Sequence, residues 1–408
     1  MRLLYVVQRY GAEIVGGSEA ACRQFAEALS SSGHVVEVLT SCARSYVTWE
    51  NSYDPGTTEV NGVLVHRLPV IAPRKPERFG PTDIWLMSET SSPLVFEQQR
   101  WARQMGPDLD GMRSWLIANC DRFDAVIFMT YLYTTASMGI AAVAGRVPVV
   151  LQPTAHDEPS LKMHLFESVF RLPDAFLYFT PEEETVVKRR FRIDPPGRVV
   201  GIGIDLEPPK NDASSFREKQ KLEKDPYLIY VGRLDLMKGV KQLCDFFIAV
   251  KDMHRIPLKL VLAGEELVEL PTHPDIIITG FLDEPEKQGA ISDSLALVQP
   301  SYFESFSIVL CEAWVQCRPA LVQGASTVLR GQAVRSSGAI PYEGFAQFEQ
   351  AVMMLLEDPT LAQRLGENGR LYVESTYNWS SVLTGVEECL ALASEHFGRR
   401  PVQLSRGK

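Results

Sequence analysis

At 408 residues the chain is too long for one comfortable core and fits two domains. Its 45% hydrophobic and 23% charged residues are the balance of a soluble globular protein. With 51 acidic against 41 basic residues, a formal net charge of −10, nucleic acid is disfavoured as a partner, because counterion-release binding needs a basic face; phosphorylated small molecules need only a few local cations and stay open.

The start, MRLLYVV, runs directly into polar Gln8-Arg9 and reads as a first strand, not as a signal peptide. A glycine-bearing loop, QRYGAEIVGGSEA, leads into apolar positions Ala21, Phe25, Ala28 and Leu29 at helical spacing, with Ser18 as the expected N-cap. Gly33 ends that helix and Val35 to Leu39 is the next strand. Gly16 and Gly17 are therefore aimed at a helix N-terminus, a corner that can hold a phosphate or sugar on backbone N–H groups; a plain tight turn explains them equally well. The dinucleotide spacing G-x-G-x-x-G is absent.

Residues 62–68 look like a strand, and the proline-rich, charged stretch 72–80 reads as a loop. The pattern over 82–97 is ambiguous; 94–105 and 111–119 read as helices. Trp85, Trp101 and Trp115 suit the core, or else an acceptor groove or a membrane surface. Ala125 to Met129 and Val147 to Leu151 are buried-strand candidates flanking a small-residue helix, Thr134 to Ala144. The second delivers His156, Asp157 and Glu158 at its carboxyl end, where open α/β sheets bind ligands. Ala175 to Phe179 is another strand, followed by PEEETVVKRRF, a helix whose acids lead and bases trail as the dipole favours, read as a solvated surface helix.

Residues 211–225 are polar and read as an interdomain linker with an exposed helix. The strand–loop–helix pattern then restarts. Tyr227 to Val231 leads into the loop 232–239, which carries Gly232, Arg233 and Lys238, and then a helix with Val240, Leu243, Phe247 and Val250 on its apolar face. Further strands are Leu258 to Ala263, Ile276 to Thr279 (followed by Gly280-Phe281-Leu282), Leu295 to Val298 and Ala320 to Val322. Helices are expected at 345–357, 361–376 and about 381–397. The pattern is that of two doubly wound parallel sheets, Rossmann-like, with a ligand cleft between them.

The seven cysteines are odd in number, without a C-x-x-C pair, and suit a reducing cytoplasm better than a disulfide framework or a zinc site. No apolar run approaches the roughly 20 residues of a spanning helix.

The richest stretch is Ser301 to Trp314, SYFESFSIVLCEAW. With Ser307 capping the helix, Glu304 stays in the loop and Glu312 lies more than a turn inside. Their separation, on the order of 10 Å from a rise of 1.5 Å per residue plus loop, is wide for a retaining glycosidase pair. It suits two jobs on one elongated ligand. Glu312 can accept from a ribose diol and Glu304 from sugar hydroxyls, while N–H groups near Ser307 and Ile308 face a diphosphate that Arg233 and Lys238 neutralise.

Glu304-x7-Glu312 with its Ser305-Phe306-Ser307 core, the loop from Gly232 to Gly239, the Gly16-Gly17 loop and the HDEP segment at His156 resemble the retaining GT-B nucleotide-sugar glycosyltransferases, glycosyltransferase family 4 in particular. The resemblance implies residues 1–208 as an N-terminal acceptor-binding domain and 209–380 as a nucleotide-sugar-binding domain. It implies 381–408 as a C-terminal helix crossing back to the first. His156, Arg233, Lys238 and Glu304 would be catalytic. Gly16, Gly17, Asp157, Gly232, Phe281, Leu282, Ser305, Phe306, Ser307, Ile308 and Glu312 would bind substrate, with Phe281-Leu282 near the base. Transfer of a hexosyl group would retain configuration by a front-side path, with no metal and no cofactor beyond the nucleoside diphosphate sugar, and with domain closure excluding water. The acceptor hydroxyl, the donor's base and sugar and the oligomeric state stay open, as does peripheral contact with the inner face of the cell membrane. One departure stands out: GASTVLRGQAVRSSGAIPY, with Ser326 and Arg330, replaces the glycine-rich turn and Pro-Glu pair usual after this strand. A nucleotide-sugar epimerase of the same shape and a catalytically silent binding subunit are the alternatives; a pyridoxal-phosphate phosphorylase would need a cofactor lysine that nothing singles out.

Overall fold

A computed structural model describes residues 1–14, 16–88, 92–207 and 213–399. Contacts divide the chain into two compact units, the first Met1–Gly203 together with the described residues from Ser380, the second Ile204–Trp379.

The first unit runs β1 (Arg2–Val6), α1 (Gly17–Ser31), β2 (Val35–Ser41), β3 (Gly56–Val60), β4 (Val63–Leu68), α2 (Pro76–Met87), α3 (Val95–Met105), α4 (Met112–Asn119), β5 (Ala125–Met129), α5 (Thr134–Val143), β6 (Val149–Gln152), α6 (Glu167–Arg171), β7 (Ala175–Tyr178), α7 (Pro181–Phe191) and β8 (Gly197–Val199). The sheet order is β3-β4-β2-β1-β5-β6-β7-β8, parallel except for β3. β1, β5, β6 and β7 are almost wholly buried apolar runs because helices cover both faces of a parallel sheet.

The second unit runs α8 (Ala213–Gln220), β9 (Tyr227–Val231), α9 (Val240–His254), β10 (Lys259–Ala263), β11 (Ile276–Gly280), α10 (Glu284–Ser292), β12 (Ala296–Gln299), α11 (Ile308–Val315), β13 (Ala320–Gln323), α12 (Thr327–Ser336), β14 (Ala339–Tyr342), α13 (Phe345–Glu357) and α14 (Pro359–Thr376). Its six strands are all parallel, in the order β11-β10-β9-β12-β13-β14. Val240, Leu243, Cys244, Phe247 and Val250 give α9 its buried stripe against Leu228, Tyr230, Leu260 and Leu262. The last helix, α15 (Trp379–Arg399), packs on the first unit. Cys389 Sγ donates to the Phe176 carbonyl at 3.3 Å, and Arg198 pairs with Glu388 at 2.8 Å.

Five local expectations are corrected. β3 was unforeseen although its signal was present: Asn61-Gly62 take positive φ, 49° and 81°, and close a hairpin onto β4. α2 occupies much of the stretch read as a loop, because Pro76 sits at its first turn, where a missing N–H is harmless. The polar segment after 211 is anchored, since Phe216 is buried and its ring lies 6.2 Å from that of Tyr227. Ser18 is not the cap of α1; Gly16 holds that position, and Ser18 Oγ donates to Glu19. The tryptophans divide. Trp101 is core, its Nε1 donating to Asp83 at 2.8 Å, Trp115 is half-buried beside the His66 ring, and Trp85 is exposed. Ile84, also exposed, lies beside Trp85 near the end of α2, and exposed Leu94, Val95 and Phe96 lie at the start of α3.

Behind the β1–α1 loop, buried Arg9 meets buried Glu19 at 2.6 Å and also donates to the Arg44 carbonyl. Although burial works against ionisation, Arg9 holds the Glu19 carboxyl below the ordinary range. Glu19→Ala strands a buried guanidinium, and we expect it to lower the denaturant-measured stability of this unit by about 3–5 kcal/mol. A loss within the range of surface substitutions would contradict that.

Candidate active site

Strand order reverses between β9 and β12 in the second sheet and between β1 and β5 in the first. At such a reversal the two neighbouring loops leave the sheet in opposite directions and open a crevice at the carboxyl ends. Gly16 and Gly17 after β1, and Gly232, Arg233, Lys238 and Glu304 to Ser307 after β9 and β12, fall at these points, each within its own unit; His156 and Asp157 follow β6, one strand away from the first reversal, Phe281 and Leu282 follow the edge strand β11, and Glu312 lies inside α11.

In the second unit, the β9–α9 loop carries Gly232, Arg233 and Lys238, and the loop after β12 carries Glu304 to Ser307. Lys238 Nζ lies 2.6 Å from Glu304 Oε1, so one ion pair spans the reversal. Arg233 is 3.5 Å from Asp235, whose other carboxylate oxygen accepts the Lys238 N–H at 2.9 Å and folds the loop back. Tyr230 Oη donates to the Arg233 carbonyl at 2.8 Å. The loops approach so closely that a Cβ on Gly239, at φ 73°, would sit 2.5 Å from the Pro300 carbonyl oxygen. Gly264 is tighter still, since its Cβ would fall 1.9 Å from the Gly232 carbonyl oxygen.

Ser307 stands at the N-cap position of α11 but does not cap it. Its backbone is left-handed, φ 72° and ψ 80°, and its hydroxyl accepts from Gln299 Nε2 at 3.0 Å. The start of α11, at Ile308, thus has no side-chain cap. Phe306 is buried edge-on against Tyr377, centroids 4.8 Å apart, and its carbonyl accepts from Gln332; it fixes the loop from beneath. Ser305 is half-buried. Phe281 projects with 66% exposure beside buried Leu282. Glu312 is paired at 2.8 Å with Lys287 of α10, which also meets Glu284 at 2.9 Å. Burial pushes the Glu312 carboxyl up against the pull of Lys287. Burial also opposes the Lys287 charge, but the two carboxylates hold it above its usual value. In the atypical segment Ser326 caps α12, accepting from the Leu329 N–H, and Arg330 lies 3.8 Å from Glu343.

In the first unit, Gly16 is the N-cap and Gly17 the first residue of α1. Beside this loop, Gly11, Glu13, Tyr53, Asp54 and buried Arg67 line a cavity of about 570 Å³. Arg67 lies over the Tyr53 ring at 4.0 Å, and Tyr53 donates to Glu13 at 2.7 Å. His156 and exposed Asp157 follow β6. His156 Nδ1 is 3.6 Å from Glu158, whose other oxygen accepts from the Tyr131 hydroxyl at 2.6 Å.

Residues 16–202 match the family model described as glycosyl transferase 4-like domain, and residues 212–372 match glycosyl transferases group 1. The chain is a GT-B glycosyltransferase. The glycogen synthase of Mycobacterium tuberculosis is 25% identical over 434 residues, covering 98% of this transferase and 97% of the relative. The alpha-D-kanosaminyltransferase of Streptomyces kanamyceticus is 26% identical over 299 residues, covering 65% and 73%. Among solved structures, sucrose-phosphate synthase from Thermosynechococcus elongatus superposes with a TM-score of 0.68 at 16% identity, covering 95% of this chain and 97% of that one. Anabaena HepE in complex with UDP and glucose gives 0.69 at 14%, covering 96% and 99%.

Two residues of the transferase escaped the sequence reading. Lys287 left no signal, since nothing local links α10 to Glu312. Glu183 did leave one: Thr180-x-x-Glu183 is a capping box, and Thr180 Oγ1 accepts the Glu183 N–H at 3.2 Å. The helix read as solvated therefore buries a carboxylate with 1% exposure. Burial pushes that carboxyl up to about 8, against the main-chain N–H groups that favour its charge. A folded value above the unfolded one means that the stability contributed by this group falls as pH rises from about 5 to about 8. The difference in Tm between Glu183→Gln and the parent should shift in favour of the glutamine variant over that window; a difference constant with pH would refute the sign.

Proposed function

We propose that this glycosyltransferase moves a hexosyl group, with retention and without a metal ion, from a nucleoside diphosphate sugar to a hydroxyl acceptor. The observation that carries the reading is the Lys238–Glu304 pair at 2.6 Å on the β9/β12 reversal, with Arg233 and the uncapped start of α11 on the same two loops. HepE is described with UDP-glucose and a trehalose-6-phosphate enzyme with UDP-2-fluoro glucose, which puts UDP first in a donor screen.

In this reading Arg233, Lys238 and the α11 N–H groups take the diphosphate, Glu312 the ribose, Glu304 the sugar hydroxyls, and Phe281-Leu282 the base. The Lys238 ammonium turns from Glu304 toward phosphate oxygen as the donor enters, freeing the carboxylate for a hydroxyl. The anomeric carbon–diphosphate bond breaks as charge gathers on a leaving group already surrounded by donors. The acceptor oxygen attacks from the face that the diphosphate leaves and passes its proton to a diphosphate oxygen. His156, with Asp157 beside it, faces the transferred sugar. The Gly16-Gly17 corner and the cavity lined by Glu13, Tyr53 and Arg67, which offers donors and acceptors together, receive a hydroxylated acceptor.

Glu312→Ala should weaken UDP binding by about 10–100-fold, the worth of a hydrogen bond to a charged group. Arg233→Ala should lower kcat by about 100–1000-fold. Isothermal titration with UDP and donor-turnover kinetics measure the two, and unchanged values in both variants would sink the assignment. Turnover should survive EDTA; strict dependence on a divalent ion would overturn the metal-free path. Exposed Ile84, Trp85, Leu94, Val95 and Phe96 favour peripheral contact of the first unit with a lipid surface. Co-sedimentation with anionic vesicles that Trp85→Ser does not diminish would count against it.

A further inference from the structure

β6 ends at Gln152, and the chain reaches His156 through Pro153, Thr154 and Ala155. Thr154 has φ 53°, a left-handed conformation that a β-branched side chain resists. Such a backbone persists only where its surroundings over-determine it.

What holds this turn comes from the next β–α unit. Glu183, the third residue of α7, accepts the Ala155 N–H on Oε1 at 2.7 Å and the Phe179 N–H on Oε2 at 2.6 Å. One carboxylate thus ties the strained turn to the start of α7, and the capping contact from Thr180 fixes that start in its own right. Helix capping alone does not account for the arrangement. A capping-box glutamate turns back to the N-cap region of its own helix, whereas one oxygen of Glu183 reaches a residue 28 positions away. Burial that raises its pKa makes the charge expensive to keep, so a less costly residue would serve if only the helix needed support. The Tyr131 hydroxyl in turn donates to Glu158, which lies beside the imidazole.

We propose that Glu183 is a positioning residue for His156: by holding the Ala155 N–H it fixes the Thr154 turn, and with it the place of the imidazole, without touching substrate. The proposal rests on the reading of His156 as the residue that faces the transferred sugar, and the test separates the two.

The first measurement needs no substrate. His156 is one of seven histidines, and its imidazole Cε1–H signal is assigned by its loss in His156→Ala. In Glu183→Gln that signal should move while the other six hold, and hydrogen exchange at 153–157 should quicken. The second is a double-mutant cycle on kcat, using whichever of UDP-glucose, ADP-glucose and GDP-mannose the parent consumes. Glu183→Gln should lower kcat by about tenfold or more with donor KM nearly unchanged, as a slightly misplaced group does. In the His156→Ala background the same change should have almost no further effect. An unmoved His156 signal, or losses that simply add, would overturn the proposal. A His156→Ala enzyme of full kcat would instead remove the role given to His156, while the signal and exchange arm still decides whether Glu183 holds the turn. If Glu183→Gln fails to fold, Glu183→Asp retains a carboxyl group but is one methylene shorter than the reach to Ala155, and is expected to give the same shifts.

Discussion

Lys238 and Glu304 meet at 2.6 Å where the strand order of the second sheet reverses, and the crevice of that unit is arranged around the pair. An ammonium and a carboxylate so close stabilise each other and tie the two loops across the reversal. Their approach depends on backbone: Gly239 has no Cβ to strike the Pro300 carbonyl, and Asp235 folds the loop so that the lysine points across. Gln299 turns the Ser307 hydroxyl away from α11, leaving the helix start without a side-chain cap.

Much of this was legible in the sequence. The central strands announced themselves because a parallel strand covered on both faces is a short unbroken apolar run, and Tyr227 to Val231 and Ala125 to Met129 were placed to the residue. The Gly232–Gly239 loop and the Glu304-x7-Glu312 spacing were legible because their chemistry is local in sequence. Edges were not. β3 is polar and exposed along nearly its whole length, so it carries no core signal, and only Asn61-Gly62 betrayed it. Ser307 looked like an N-cap because position suggests one, but Gln299, eight residues earlier, competes for its hydroxyl.

The deeper misses are long-range electrostatics. Lys287 meets Glu312 from a different helix, and Arg9 meets Glu19 across a loop. Glu183 reads as one acid among three at a helix start, where the dipole explains them all. Only the fold shows that Glu182 and Glu184 are ordinary and that Glu183 turns inward. A charged residue's burial is decided by what the chain brings to it, which a local pattern does not contain.

The return of α15 to the first unit has a consequence for biosynthesis. Val382, Val386, Cys389, Leu390 and Ala393 bury themselves on that unit, and Val200 lies against Gly385. The first sheet is synthesised before the second unit but lacks this cover until that whole unit has been made. The second unit, contiguous from Ile204 to Trp379, has all of its strands before then. The usual N-to-C order of domain completion is therefore inverted. The inserted unit can close first and the unit that flanks it closes last, so termination just before α15 leaves the first sheet with an uncovered apolar flank.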